Sequence, residues 1–152
     1  MMRHVAESTH LVRRWWRALR AQPLTDAECA MVNRILGAAE VAAFFRFATH
    51  DQRHALEVLA RLERAAPEAP RAVVRAALLH DIGKVDDNLS IAGRVAATLI
   101  GARGERFARY LDHEARGAVL LAGIGSDPLT VALVRGDEVE PWSTLLRDAD
   151  RV

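Results

Sequence analysis

An all-α fold is expected for this chain on three observations: strand-type alternation is nearly absent, apolar residues recur at spacings of three and four, and alanine, leucine, arginine and glutamate dominate. The 152 residues are about one domain's worth, enough to bury roughly two-thirds of the surface that the unfolded chain exposes. With 51% hydrophobic and 27% charged residues, the balance is that of a globular protein with one core. The expectation is a compact single-domain helical bundle over residues 1–152, with N-terminal helices in 1–48 packed on a core of 50–151.

The elements follow from caps and breakers. A first helix is expected over about residues 5 to 20, before Pro23, with Leu11, Trp15, Trp16 and Leu19 as an apolar stripe among arginines. Thr25 followed by Glu28 is a capping-box signature, so a second helix starts there and stops near Gly37. A third runs from Ala38 to about Phe47. Asp51 is a candidate cap for a helix reaching about Arg64, closed by the Pro67 and Pro70 segment. The next begins near Arg71 and runs through Ala-Val-Val-Arg-Ala-Ala-Leu-Leu into His80, where Gly83 ends or bends it. Further helices are expected over about 88 to 100, 104 to 111, 114 to 122, 127 to 135 and 141 to 151. Gly123 and Gly125 read as turn glycines, because no strand precedes them.

Several classes are disfavoured. The net charge of +1, from 21 basic and 20 acidic residues, gives no global field for a nucleic-acid polymer or an anionic membrane. Cys29 is the only cysteine, so no intramolecular disulfide can form, and its surroundings read as helix interior. Apolar stretches fall far short of about 20 residues and no signal-peptide core precedes Arg13, Arg14 and Arg17, so a cytoplasmic address is expected by default. Homodimerisation through the Trp15-Trp16 helix has no heptad behind it and is left open.

The chemistry concentrates at His80-Asp81-Ile82-Gly83-Lys84, where a strongly apolar helix delivers an imidazole and a carboxylate side by side. A carboxylate at the end of such a run needs a protein partner or a metal, since isolating it there costs several kcal/mol. Upstream, His50 and His54 lie four apart. At ~100° per residue, His54 falls roughly 90° from the centre of the face made by Ala55, Val58, Leu59 and Leu62, and His50 about 130° away. His54 is therefore the better ligand candidate, and His50 reads as a solvated histidine or one supporting the ligands. Near the end, Asp148 and Asp150 tie, each roughly 100° from the centre of the Trp142, Leu145, Leu146, Ala149, Val152 stripe.

The order His54, then His80-Asp81 inside Ala-Leu-Leu-His-Asp-Ile-Gly-Lys, then Asp-Ala-Asp-Arg at 148–151 resembles the HD superfamily of metal-dependent phosphohydrolases. The resemblance spans about residues 50 to 151 and implies a helical domain in which two histidines and two aspartates bind a divalent metal. On it, the ligands are His54, His80, Asp81 and Asp150; the family's closing Ala-Asp-Arg-Leu-like segment places the match on Asp150, with Asp148 as the fallback. A mixed imidazole and carboxylate set suits Mn²⁺, Fe²⁺, Co²⁺, Ni²⁺ or Zn²⁺. Lys84 resembles the phosphate-binding lysine of the HD-GYP subgroup, and its bland alternative is a solvated loop lysine. Arg53 is a further candidate for gripping phosphate, against a surface arginine as the alternative.

His113-Glu114 resembles the family's helix that opens with His-Glu and carries a glycine where it packs closely. In two-metal relatives a histidine-rich run follows; here the chain reads Arg135-Gly136-Asp137-Glu138, so a second metal site is not expected and His113 is assigned to substrate or to supporting the ligands. The Gly-Tyr-Pro signature of cyclic-dinucleotide phosphodiesterases is missing, so that substrate is not carried over. The expected activity is hydrolysis of a small phosphomonoester or phosphodiester, for example a nucleotide, through a metal-activated water, with Asp81 and Lys84 as the catalytic pair. The alternative is a catalytically silent module of the same type that binds metal or nucleotide and regulates a partner.

Overall fold

The computed structural model describes residues 21–85 and 105–151. Among these residues are seven α-helices, one short 3-10 helix and no strand, in keeping with the all-α expectation. The helices expected over about 5 to 20, with Trp15 and Trp16, and over 88 to 100 lie outside the described residues.

Helix α1 (Asp26–Ile35) starts at the anticipated box: Glu28 N donates to Thr25 Oγ1 at 3.3 Å, and Thr25 N donates to Glu28 Oε2 at 2.7 Å. The helix ends at Ile35 with Leu36 as its C-cap, near Gly37 as expected. Gly37 is the N-cap of α2 (Ala38–Phe44), its N–H donating to Glu40 Oε2 at 2.7 Å. Helix α2 is shorter than expected, because Arg46 and Phe47 bond back to Ala43 and Phe44 in tighter turns. Asp51 does not cap α3 (Thr49–Ala65). Ala48 holds the cap position, and Asp51 is buried in the first turn, its Oδ1 3.2 Å from His50 Nε2. His50 is thus held by its neighbour rather than simply solvated.

Helix α4 (Arg71–Leu79) follows Pro70, whose carbonyl accepts the first bonds, and the 3-10 helix (Ile82–Lys84) continues from its end. The two pieces expected over 104 to 122 are one helix, α5 (Glu105–Gly123). Neither glycine nor proline lies at Asp112-His113 to break it. Helix α6 (Pro128–Arg135) is capped by Asp127 and closed by Gly136, whose φ of 88° is the left-handed conformation that favours glycine. Helix α7 (Trp142–Asp150) comes last.

Helix α4 packs on α3, on α6 and on α1; α6 packs on α5, α5 on the 3-10 helix, and α7 on α3. The alanines and aliphatics of α4 explain its central place, since Val73, Ala76, Ala77, Leu78 and Leu79 are all fully buried. With Leu59 and Leu62 from α3 and Leu121 from α5 they form the core, each large side chain contributing about 1.5–3 kcal/mol by leaving water.

Gly83 is required for a different reason from the expected helix break. A Cβ there would come within 1.9 Å of the His113 carbonyl oxygen, so only a glycine lets the 3-10 helix lie against the α5 backbone. Gly117 faces it across the contact, as the close-packing glycine of the His-Glu helix was expected to do. Its own Cβ would stand 3.2 Å from Gly83 N and 3.1 Å from side-chain atoms of Ile82 and Val134.

Candidate metal centre

The end of α4 is buried by its apolar run, so the next two side chains emerge at the edge of the core rather than in solvent. His80 Nδ1 lies 3.0 Å from the Ala77 carbonyl oxygen. A carbonyl can only accept, so Nδ1 carries a proton and donates it, and Nε2 is left to face the site. That Nε2 is buried without a hydrogen bond; its nearest oxygens are Asp150 Oδ1 at 3.4 Å and Asp81 Oδ2 at 3.6 Å. Helix α3 brings His54 Nε2 to 2.8 Å from Asp150 Oδ1. The two imidazole rings meet edge to face, with centroids 5.3 Å apart.

One ligand atom each from His54, His80 and Asp81 lies within 4.8 Å of the others, and Asp150 reaches the group through both imidazoles. Asp81 Oδ2 also accepts from Lys84 Nζ at 2.5 Å. Asp148 points elsewhere: it is mostly exposed and pairs loosely with Arg151 at 3.8 Å.

The electrostatics are those of acceptors crowded together. The hydrogen bond from His54, then the His80 imidazole 3.4 Å away, holds the Asp150 carboxyl far below the usual carboxylate range. Burial alone would raise Asp81, but the charges of His80 and Lys84 outweigh it and lower it. Burial would likewise lower His80, and the charges of Asp81 and Asp150 overcome that and raise it. Two carboxylates aimed at an Nε2 lone pair require positive charge between them, supplied by protons on the imidazoles or by a metal ion. Donors about 2.1 Å from a tetrahedral ion would stand about 3.4 Å apart, comparable with the 2.8, 3.4 and 3.6 Å separations observed. The residues present therefore fit a divalent cation, and the imidazole and carboxylate donors suit the Mn²⁺ to Zn²⁺ series.

The remaining sequence candidates fall in different places. His113 places its carbonyl against Gly83, which sets the α5 backbone beside the segment that comes after Asp81. Arg53 is not brought to the cluster's carboxylates. Its guanidinium donates to Glu28 Oε1 at 2.5 Å and to the carbonyls of Gln22 at 2.8 Å and Pro23 at 2.5 Å, tying the start of α1 to α3. Arg61, which the sequence did not single out, donates from Nη1 to the Ala149 carbonyl at 2.9 Å, next to Asp150. Its position seven residues after His54 marks the shared face of α3, but a backbone carbonyl partner leaves no trace in sequence.

A helical domain gathering paired histidines and aspartates at the end of a buried helix defines a class of metal-site proteins. The sequence profile of the HD domain family matches residues 52–151, and the chain belongs to that family, whose members are generally metal-dependent phosphohydrolases. No curated protein matches the chain. No solved structure matches it. Among the described residues, no helix is long and apolar enough to cross a membrane.

Proposed function

We propose that this protein is a single-metal phosphohydrolase acting on a small phosphomonoester or phosphodiester, with His54, His80, Asp81 and Asp150 as metal ligands. The observation that carries the reading is the buried His80 Nε2, its tautomer set by Ala77 O, facing two carboxylates at 3.4 and 3.6 Å. A divalent ion bound there supplies Lewis acidity, acidifying water and drawing charge from a phosphoryl oxygen. The protein's own groups do the rest. Ala77 O keeps the proton on His80 Nδ1, which leaves the Nε2 lone pair for the ion. Lys84 offsets the charge of Asp81 and sets an ammonium beside the cluster, where an anionic phosphate gains by approaching it. His113, on α5, is assigned to contact with the substrate or to support of the ligands.

Asp81→Ala tests this. Elemental analysis should find the metal of the wild type lost, and turnover of an aryl phosphate with Mn²⁺ or Co²⁺ should disappear. Full activity in the variant overturns the reading. Wild-type protein that holds metal but turns over neither aryl phosphates nor nucleotides points instead to a regulatory module of the same fold.

A further inference from the structure

Asp150 is the last residue of α7, a helix of nine residues, and its side chain is one of the more exposed in the cluster, at 37%. Nothing in the position itself holds it steady. The final carbonyls of a helix lack partners within the helix, and such ends fray unless something caps them. One of those carbonyls, at Ala149, accepts Arg61 Nη1 at 2.9 Å. Arg61 is itself braced: its side chain is only 19% exposed, and Nη2 lies 3.3 Å from Glu57 Oε2 one turn back along α3. Helix α3 also carries His54, the residue that Asp150 Oδ1 meets at 2.8 Å. One rigid helix thus grips the end of α7 twice, once at the carbonyl before Asp150 and once at its carboxylate. The guanidinium also sets positive charge at the negative end of the helix dipole.

We infer that Arg61 is a positioning residue for the metal centre, holding the last turn of α7 so that Asp150 meets His54 and His80. The inference rests on the metal-site reading for its consequence but not for its geometry. Arg61 touches no ligand atom; it acts through the Ala149 peptide. A single donor suffices to reach the carbonyl, so lysine replaces part of the function and methionine, of similar length, replaces none.

The test uses the whole chain as wild type, Arg61→Met, Arg61→Lys and Leu145→Ala, the last weakening α7 packing without touching the carbonyl. Mn²⁺ affinity is measured by titration calorimetry. In the metal-free proteins, the ¹⁵N resonances of the His54 ring report its bond to Asp150. Arg61→Met should weaken Mn²⁺ binding about tenfold or more and shift the His54 ring signals. Arg61→Lys should recover much of both, and Leu145→Ala should lose thermal stability with affinity near wild type. Unchanged affinity and unchanged His54 signals in a folded Arg61→Met overturn the inference, as does an equal loss of affinity in Leu145→Ala. Wild-type protein that binds no Mn²⁺ removes the metal reading, and the His54 signals still decide whether Arg61 positions Asp150. If Arg61→Met does not fold, Arg61→Gln, too short to reach the Ala149 carbonyl, takes its place with the same two measurements and the same outcomes.

Discussion

At the scale of single residues, Gly83 shows how much the His80-Asp81 doublet depends on a close backbone contact two positions further along the chain. Its place in a His-Asp-Ile-Gly-Lys run was legible, but the reason was not, because a backbone approach of α5 leaves no periodicity in the sequence. Gly83→Ala should cost about 3 kcal/mol in urea unfolding, the upper end for overpacking, since the obstacle is a backbone carbonyl that cannot rotate away. Gly117→Ala, whose contacts are 3.1–3.2 Å, should cost about 1 kcal/mol. The charged cluster makes a second prediction, for metal-free protein. Asp81 and Asp150 are lowered from 3.8, so their contribution is present above that value and is lost as pH falls through their native values. His80 is raised from 6.5, so its contribution is complete below 6.5 and lost as pH rises through its native value. Stability owed to the cluster should therefore be greatest between about 4 and 6.5. Urea midpoints across pH should show that maximum in chelator-treated wild type, and a flatter profile in Asp150→Asn.

At the scale of elements, the sequence spoke clearly where a side chain acts on its own helix and poorly where it acts on another. The Thr25 box was readable because both of its bonds are local. Thr25→Ala should cost about 1 kcal/mol, read from the thermal or urea transition. The misread cap at Asp51 shows the limit: aspartate is at home in caps, yet Ala48 holds the cap position and Asp51 has been turned inward. Arg53 is the same lesson across a longer gap: its three acceptors lie 25 to 31 residues away, and no helical-wheel argument could have found them. The tie between Asp148 and Asp150 belongs here as well, since periodicity describes a helix's own faces, and which aspartate meets the histidines was decided by how α7 lies on α3.

For the whole molecule, class and helix order were written in the alanine-rich, leucine-rich periodicity, and the match over residues 52–151 agrees with what the motif order had implied. What the chain could not display was convergence, which depends on α3, α4 and α7 docking around one point. His54 and Asp150 are separated by 96 positions, so bringing them to 2.8 Å closes a long loop, an event with a large entropic cost and slow onset relative to helix formation. A refolding chain can therefore regain most of its circular dichroism while this pair is still apart. If the proposed metal centre binds an ion, cation uptake during refolding should serve as a clock for the completion of tertiary assembly, starting only after the helical signal has saturated.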